Sequence, residues 1–149
     1  QQMLETATQL NTPGVALSEL PGVHALTDVT GFGLLGHLLE ICRGSGVAAE
    51  IRFSDIPVLS AARHLAEKGY ATGASDRNWA SYQPDVVLAQ GMPEWHRKLL
   101  TDPQTSGGLL VACDPASVST VLDIFRQQGF AHACAIGVLQ DGSAAVTVR

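Results

Sequence analysis

Residues 27–37 read Thr27-Asp28-Val29-Thr30-Gly31-Phe32-Gly33-Leu34-Leu35-Gly36-His37, and the fold turns on how this run is parsed. Upstream, Pro21-Gly22 turns the chain into an apolar-rich segment at residues 23–26 that predicts a strand. Downstream, Leu34, Leu35, Leu38, Leu39 and Ile41 follow the helical period and predict a helix ending near Gly44. The run is therefore a strand, a glycine turn and a helix, with an acid where the strand ends.

Gly31, Gly33 and Gly36 spell G-x-G-x-x-G, the pattern of a dinucleotide-binding turn, and Glu50 lies downstream where a ribose-binding acid would fall. Asp28 points to different chemistry, because a carboxylate just before the first glycine would face a pyrophosphate's own negative charge. An acid there suits a magnesium ligand, since that ion takes one or two carboxylates and completes its shell with water and phosphate oxygens. The glycines let backbone approach closely, and the helix that follows turns its unpaired N–H groups and positive end toward the loop. In a plainer reading Asp28 caps the helix and the glycines ease packing. The run by itself leaves these readings open.

A second polar, glycine-bearing run precedes another predicted buried strand: Leu100-Thr101-Asp102-Pro103-Gln104-Thr105-Ser106-Gly107-Gly108-Leu109-Leu110. Taken alone it is good turn chemistry. Taken with the first run, it offers a set of backbone and hydroxyl donors suited to phosphate.

The rest of the chain supplies scaffold. Helices are predicted at residues 2–10, 57–68, 93–100 and, with Asp114 as N-cap and Pro115 at its first position, 114–128. Strands are predicted at 47–53, 85–89 and 107–113, and at 133–139 and 144–148, the last two joined as a hairpin by Gln140-Asp141-Gly142-Ser143. Residues 70–83 read as a polar, irregular loop. Helices alternating with strands predict an α+β fold, a mixed sheet with helices layered on it.

Composition narrows the function. The 149 residues suit one domain, and the helix-favouring opening at Gln1-Gln2-Met3 suggests a piece cut from a longer protein. A net charge of −5 with nine scattered Lys and Arg argues against nucleic acid, and no apolar run reaches the roughly 18 residues of a membrane span. Charged residues make up only 15% of the chain, which suggests surface covered by another domain. Cys42, Cys113 and Cys134 are widely spaced among apolar neighbours and read as structural thiols of a cytoplasmic protein. Of the histidines, His37 is expected to be structural and the other four to be surface or structural residues.

The two glycine-bearing runs together resemble those of selenophosphate synthetase, also called selenide, water dikinase, and Gly73-Ala74-Ser75-Asp76-Arg77-Asn78 is similar to a third segment of that family, with Ala74 where a second glycine is common. The Gln104-Thr105-Ser106-Gly107-Gly108 run favours this branch over the hydrogenase-maturation and purine-pathway branches of the aminoimidazole ribonucleotide synthetase superfamily. The resemblance implies that residues 1–149 form a carboxy-terminal layered α/β sandwich. This would close over an amino-terminal domain that forms a homodimer and most of the ATP site. It implies conversion of ATP, selenide and water to selenophosphate, AMP and phosphate, with magnesium and a monovalent cation such as potassium. By the same resemblance Asp28 is the magnesium ligand of this domain, and Thr27, Thr30, Gly31, Gly33, Thr105, Ser106, Gly107 and Gly108 line the nucleotide site. Arg77 and Asn78 are further candidates for phosphate or interface contacts. The family's reactive Cys or selenocysteine and its Lys belong to the other domain, so this chain alone is expected to be inactive.

Overall fold

The computed structural model describes residues 2–149, with side chains from Leu4 onward; Gln1, the first residue of the expected 1–149 domain, lies outside the described residues. The chain runs through α1 (Gln2–Thr8), α2 (Pro13–Ser18), β1 (Val23–Asp28), α3 (Gly33–Ser45), β2 (Val47–Ile51), α4 (Ser60–Glu67) and α5 (Gly73–Tyr82). It continues through β3 (Val86–Leu88), α6 (Glu94–Leu100), β4 (Leu109–Cys113), α7 (Val118–Gln127), β5 (Gly137–Asp141) and β6 (Ala145–Val148). The fold is α+β.

Two sheets share the core. One is the antiparallel pair β1–β4; the other is a mixed four-stranded sheet in the order β3-β6-β2-β5. The helix predicted from the leucine stripe, α3, lies between them. Its Leu34, Leu35, Leu38, Leu39, Ile41 and Cys42 pack in one cluster with Ala49, Ile51, Val146 and Val148 of the mixed sheet and with Leu110 and Ala112 of β4. A helix buried on nearly every side must be apolar nearly all round, which is what residues 33–42 supply. Full burial of Leu35 and Leu39, both 0% exposed, stabilises the fold by about 2 kcal/mol each. The opposite face of β1–β4 presents Val23, Leu26, Leu109 and Val111 to Leu17 of α2 and Val121 and Phe125 of α7. The alternation along β1 and β4 thus serves two cores at once.

Several sequence expectations need correction. Residues 70–83 are not an irregular loop, because 73–82 form α5, whose N-cap Thr72 accepts a hydrogen bond from the Ser75 amide. Residues 13–18 form the short helix α2, with Pro13 in its first turn. The expected hairpin between the last two strands does not form. β2 lies between them, antiparallel to β5 and parallel to β6, so the turn at residues 140–143 reverses the chain across an intervening strand. Asp114 makes no side-chain cap; a 3-10 turn at Pro115–Ser117 precedes α7, and the carboxylate meets His24 Nε2 at 2.9 Å. The strand predicted through residue 53 stops at Ile51 and gives way to a 3-10 turn at Phe53–Asp55. The helix expected from residue 57 begins at Ser60.

No helix among the described residues is long and apolar enough to cross a membrane.

Candidate functional site

β1 ends at Asp28, which stands opposite Leu109 at the start of β4. That register brings the two glycine-bearing runs together. The Val29 amide donates to the Gly108 carbonyl at 3.0 Å, and the Gln104 amide donates to the Thr30 carbonyl at 3.0 Å. Two glycines make the approach possible. Gly33 has φ +70°, and a Cβ there would lie 2.6 Å from the Thr101 carbonyl carbon, so both its backbone angle and its contact exclude a side chain. A Cβ on Gly107 would collide with the Val29 carbonyl oxygen.

The candidate residues divide by exposure. Asp28, Gly31, Thr105, Ser106 and Gly108 are exposed, Thr27 and Thr30 are half-buried, and Gly33 and Gly107 are buried. The Asp28 carboxylate has no protein partner among the described residues, in contrast to Asp76, Asp85 and Asp114, each held by a cation or histidine. Thr27 Oγ1 donates to the Asp28 carbonyl at 3.0 Å, and Ser106 Oγ donates to the Ala7 carbonyl at 3.2 Å. The Gly107 carbonyl accepts from Asn11 Nδ2 at 2.9 Å. His37 Nε2 accepts the Thr30 amide at 3.0 Å and also lies 3.2 Å from Thr30 Oγ1.

Further contacts to the site come from α5 and its flank, where Asn78 is already a candidate from the sequence and Thr72 and Tyr82 are not. Asn78 Nδ2 donates to the Gly31 carbonyl at 2.8 Å and to the Thr101 carbonyl at 2.9 Å. Tyr82 Oη donates to the Phe32 carbonyl at 2.8 Å, and Thr72 Oγ1 donates to Asp102 Oδ1 at 2.9 Å. Phe32 itself is 58% exposed and borders a cavity of about 200 Å³ with Gly36, Glu40, Arg43, Ser81 and Tyr82. A larger cavity, about 560 Å³ between Phe53, Arg63, Met92 and His96, is lined by none of the candidate residues. Arg77 is exposed and joins no ion pair among the described residues.

The dinucleotide reading of Gly31, Gly33 and Gly36 does not fit this geometry. That motif needs parallel neighbouring strands joined through the helix, whereas β1 and β2 lie in different sheets. Gly36 lies against the Tyr82 ring, and Glu50, the supposed ribose acid, pairs with Arg149 Nη2 at 3.0 Å. Burial raises Cys42, Cys113 and Cys134 above the ordinary thiol range, and the nearby Asp55 carboxylate further raises Cys134, which is exposed rather than packed in the core.

A strand-end acid beside two interlocked glycine turns, on a two-sheet α+β scaffold, defines the class. The chain belongs to the AIR synthase related protein family, matching its C-terminal domain over residues 4–149. Over 147 residues it is 58% identical to the selenide, water dikinase of Burkholderia pseudomallei strain K96243, a match that takes in 99% of this chain and 42% of that protein. The chain thus spans about two-fifths of that relative's length. Among solved structures it resembles E. coli HypE, a hydrogenase maturation protein, with a TM-score of 0.66 and 21% identity over 95% of this chain and 37% of HypE. A HypE solved in complex with ATP superposes with a TM-score of 0.61 at 18% identity, covering 96% of this chain and 37% of that one. These last two likenesses concern the fold.

Proposed function

We propose that this chain is the carboxy-terminal domain of a selenophosphate synthetase, which converts ATP, selenide and water to selenophosphate, AMP and phosphate. The observation that carries the reading is the meeting of an exposed, unpartnered Asp28 with the turn at residues 104–108, in a chain 58% identical to a selenide, water dikinase.

Asp28 suits magnesium because it is an exposed carboxylate that no protein cation neutralises. Among the described residues, no three His, Cys, Asp or Glu side chains gather to hold a metal. The ion's remaining ligands would therefore be nucleotide oxygens, water and carboxylates of the parent's amino-terminal domain. When bound, magnesium would neutralise phosphate charge and align the transferred group. The chain's own part is to hold one carboxylate and a rim of Thr27, Thr30, Gly31, Thr105, Ser106 and Gly108 at the mouth of the nucleotide site, while buried Gly33 and Gly107 keep the two turns in contact. The parent is a cytoplasmic homodimer that also needs a monovalent cation such as potassium, to which no residue of this chain is assigned.

The test is made in the full-length parent. Purified enzyme with magnesium, ATP and selenide should release AMP and phosphate, and Asp28→Ala should abolish that turnover while circular dichroism stays unchanged. Selenide-independent turnover would instead favour another branch of the superfamily, and near-normal activity of Asp28→Ala would remove that residue from the metal site.

A further inference from the structure

The structure assigns Asn78 a role of its own: it is a positioning residue that locks the two glycine-bearing turns into one site, and α5 is the clamp that carries it. The inference rests on the proposed function only for its catalytic consequence; the clamp itself stands on geometry.

Ser75, Asn78 and Tyr82 are spaced three and four residues apart, so they share one face of α5. Each is spent on the turns or on the helix that leads into them. Ser75 Oγ donates to the Lys98 carbonyl at 3.0 Å and shares a 2.6 Å hydrogen bond with Thr101 Oγ1, both side chains being 0% exposed. Tyr82 holds the Phe32 carbonyl. Asn78 alone on this face touches both turns, with its two amide protons shared between the Gly31 and Thr101 carbonyls.

Both acceptors are backbone atoms, and this settles the kind of role. With both protons committed, Asn78 Nδ2 has nothing to offer a phosphate, so its influence passes through the turns it joins. Asp28 and Gln104 stand on opposite sides of the seam that Asn78 closes. A site that contributes one carboxylate from one turn and phosphate donors from the other needs that seam fixed, because small misplacements of such groups are costly to phosphoryl transfer.

The experiment uses full-length enzyme and the isosteric variant Asn78→Asp, which keeps the side chain's shape and removes both donors. Amide hydrogen exchange at Val29, Thr30, Gly33 and Gln104 should accelerate together by tenfold or more, with α7 and β2 unchanged. The magnesium concentration for half-maximal, selenide-dependent ATP turnover should rise about tenfold. Asp76→Asn, which loosens α5 from α6 without touching either turn, should leave that magnesium requirement at the wild-type value. Unchanged exchange in Asn78→Asp, or an equal shift in Asp76→Asn, overturns the assignment. Should Asn78→Asp fail to fold, Tyr82→Phe removes only the Phe32 bond and should loosen Thr30 and Gly33 while sparing Gln104; loosening of all three overturns the clamp. If wild-type enzyme shows no selenide-dependent turnover, the functional reading fails, and the exchange data still decide the clamp.

Discussion

The carbonyl oxygen of Val29 fills the space that a Cβ on Gly107 would need, so the two turns of the site meet backbone to backbone. Here the joint is a glycine against a peptide group, and its tolerance is nearly zero. Gly107→Ala must push the β1 end away from the β4 start, at a cost of about 3 kcal/mol. Gly108→Ala, one residue on, meets nothing within 4 Å and should change stability by less than about 0.5 kcal/mol. Chemical denaturation of the pair checks the contrast, and equal midpoints would refute it.

How far the sequence discloses this arrangement depends on whether a signal is local. β1 and α3 are legible because Leu34 to Ile41 impose a helical stripe directly after a strand and a glycine turn. α5 is hidden because the residues it turns inward include Ser75 and Asn78, polar groups that satisfy backbone carbonyls and so erase the apolar period by which helices are recognised. The turn at residues 140–143 announces a reversal correctly, yet no local rule can say that β2 inserts between the strands it joins. Each glycine-bearing run is readable alone. Their meeting depends on the pairing of Asp28 with Leu109, which are far apart in the chain.

Burial pushes the Tyr82 hydroxyl up from 10.0 to about 12. The side chain is 5% exposed, and as a neutral donor it holds the Phe32 carbonyl. The folded state therefore resists ionisation that the unfolded chain accepts. Tyr82's contribution is complete below pH 10 and is lost as the pH rises through the interval from 10 to about 12, reaching about 3 kcal/mol at full expression. Tyr82→Phe should be less stable than wild type at neutral pH, for want of the hydrogen bond, but should lose less stability between pH 9 and about 11.5. Parallel alkaline limbs in the two proteins would refute this account.

The Asp76 carboxylate is held below its ordinary 3.8 first by Lys98 and then by Arg97, at 3.0 Å and 3.1 Å. These ties fasten α5 to α6. A depressed carboxyl stabilises the fold above its unfolded value and ceases to do so as the pH falls below 3.8 through the folded one. Thermal melts of Asp76→Asn should accordingly lie below wild type at pH 7 and converge with it near pH 2. Added salt should narrow the gap at pH 7, because the Asp76 carboxylate in both pairs is exposed to solvent. A gap that persists at pH 2 would mean that the charge pairs are not its source.

Asp28 is one carboxylate, and no further acid or imidazole gathers with it into a metal-binding group among the described residues. Magnesium reluctantly sheds water for a single ligand, so the ion would be held by this chain only weakly. None of the three cysteines has a depressed thiol, since burial raises all of them, and so none supplies a ready nucleophile. The purified 149-residue chain should therefore hydrolyse ATP no faster than buffer, and calorimetry should find only weak magnesium-ATP binding. Adding the separately produced remainder of the parent should restore turnover if the two parts close on each other around Asp28. Robust turnover by the chain alone would place the whole reaction within these residues and overturn the division of labour proposed above.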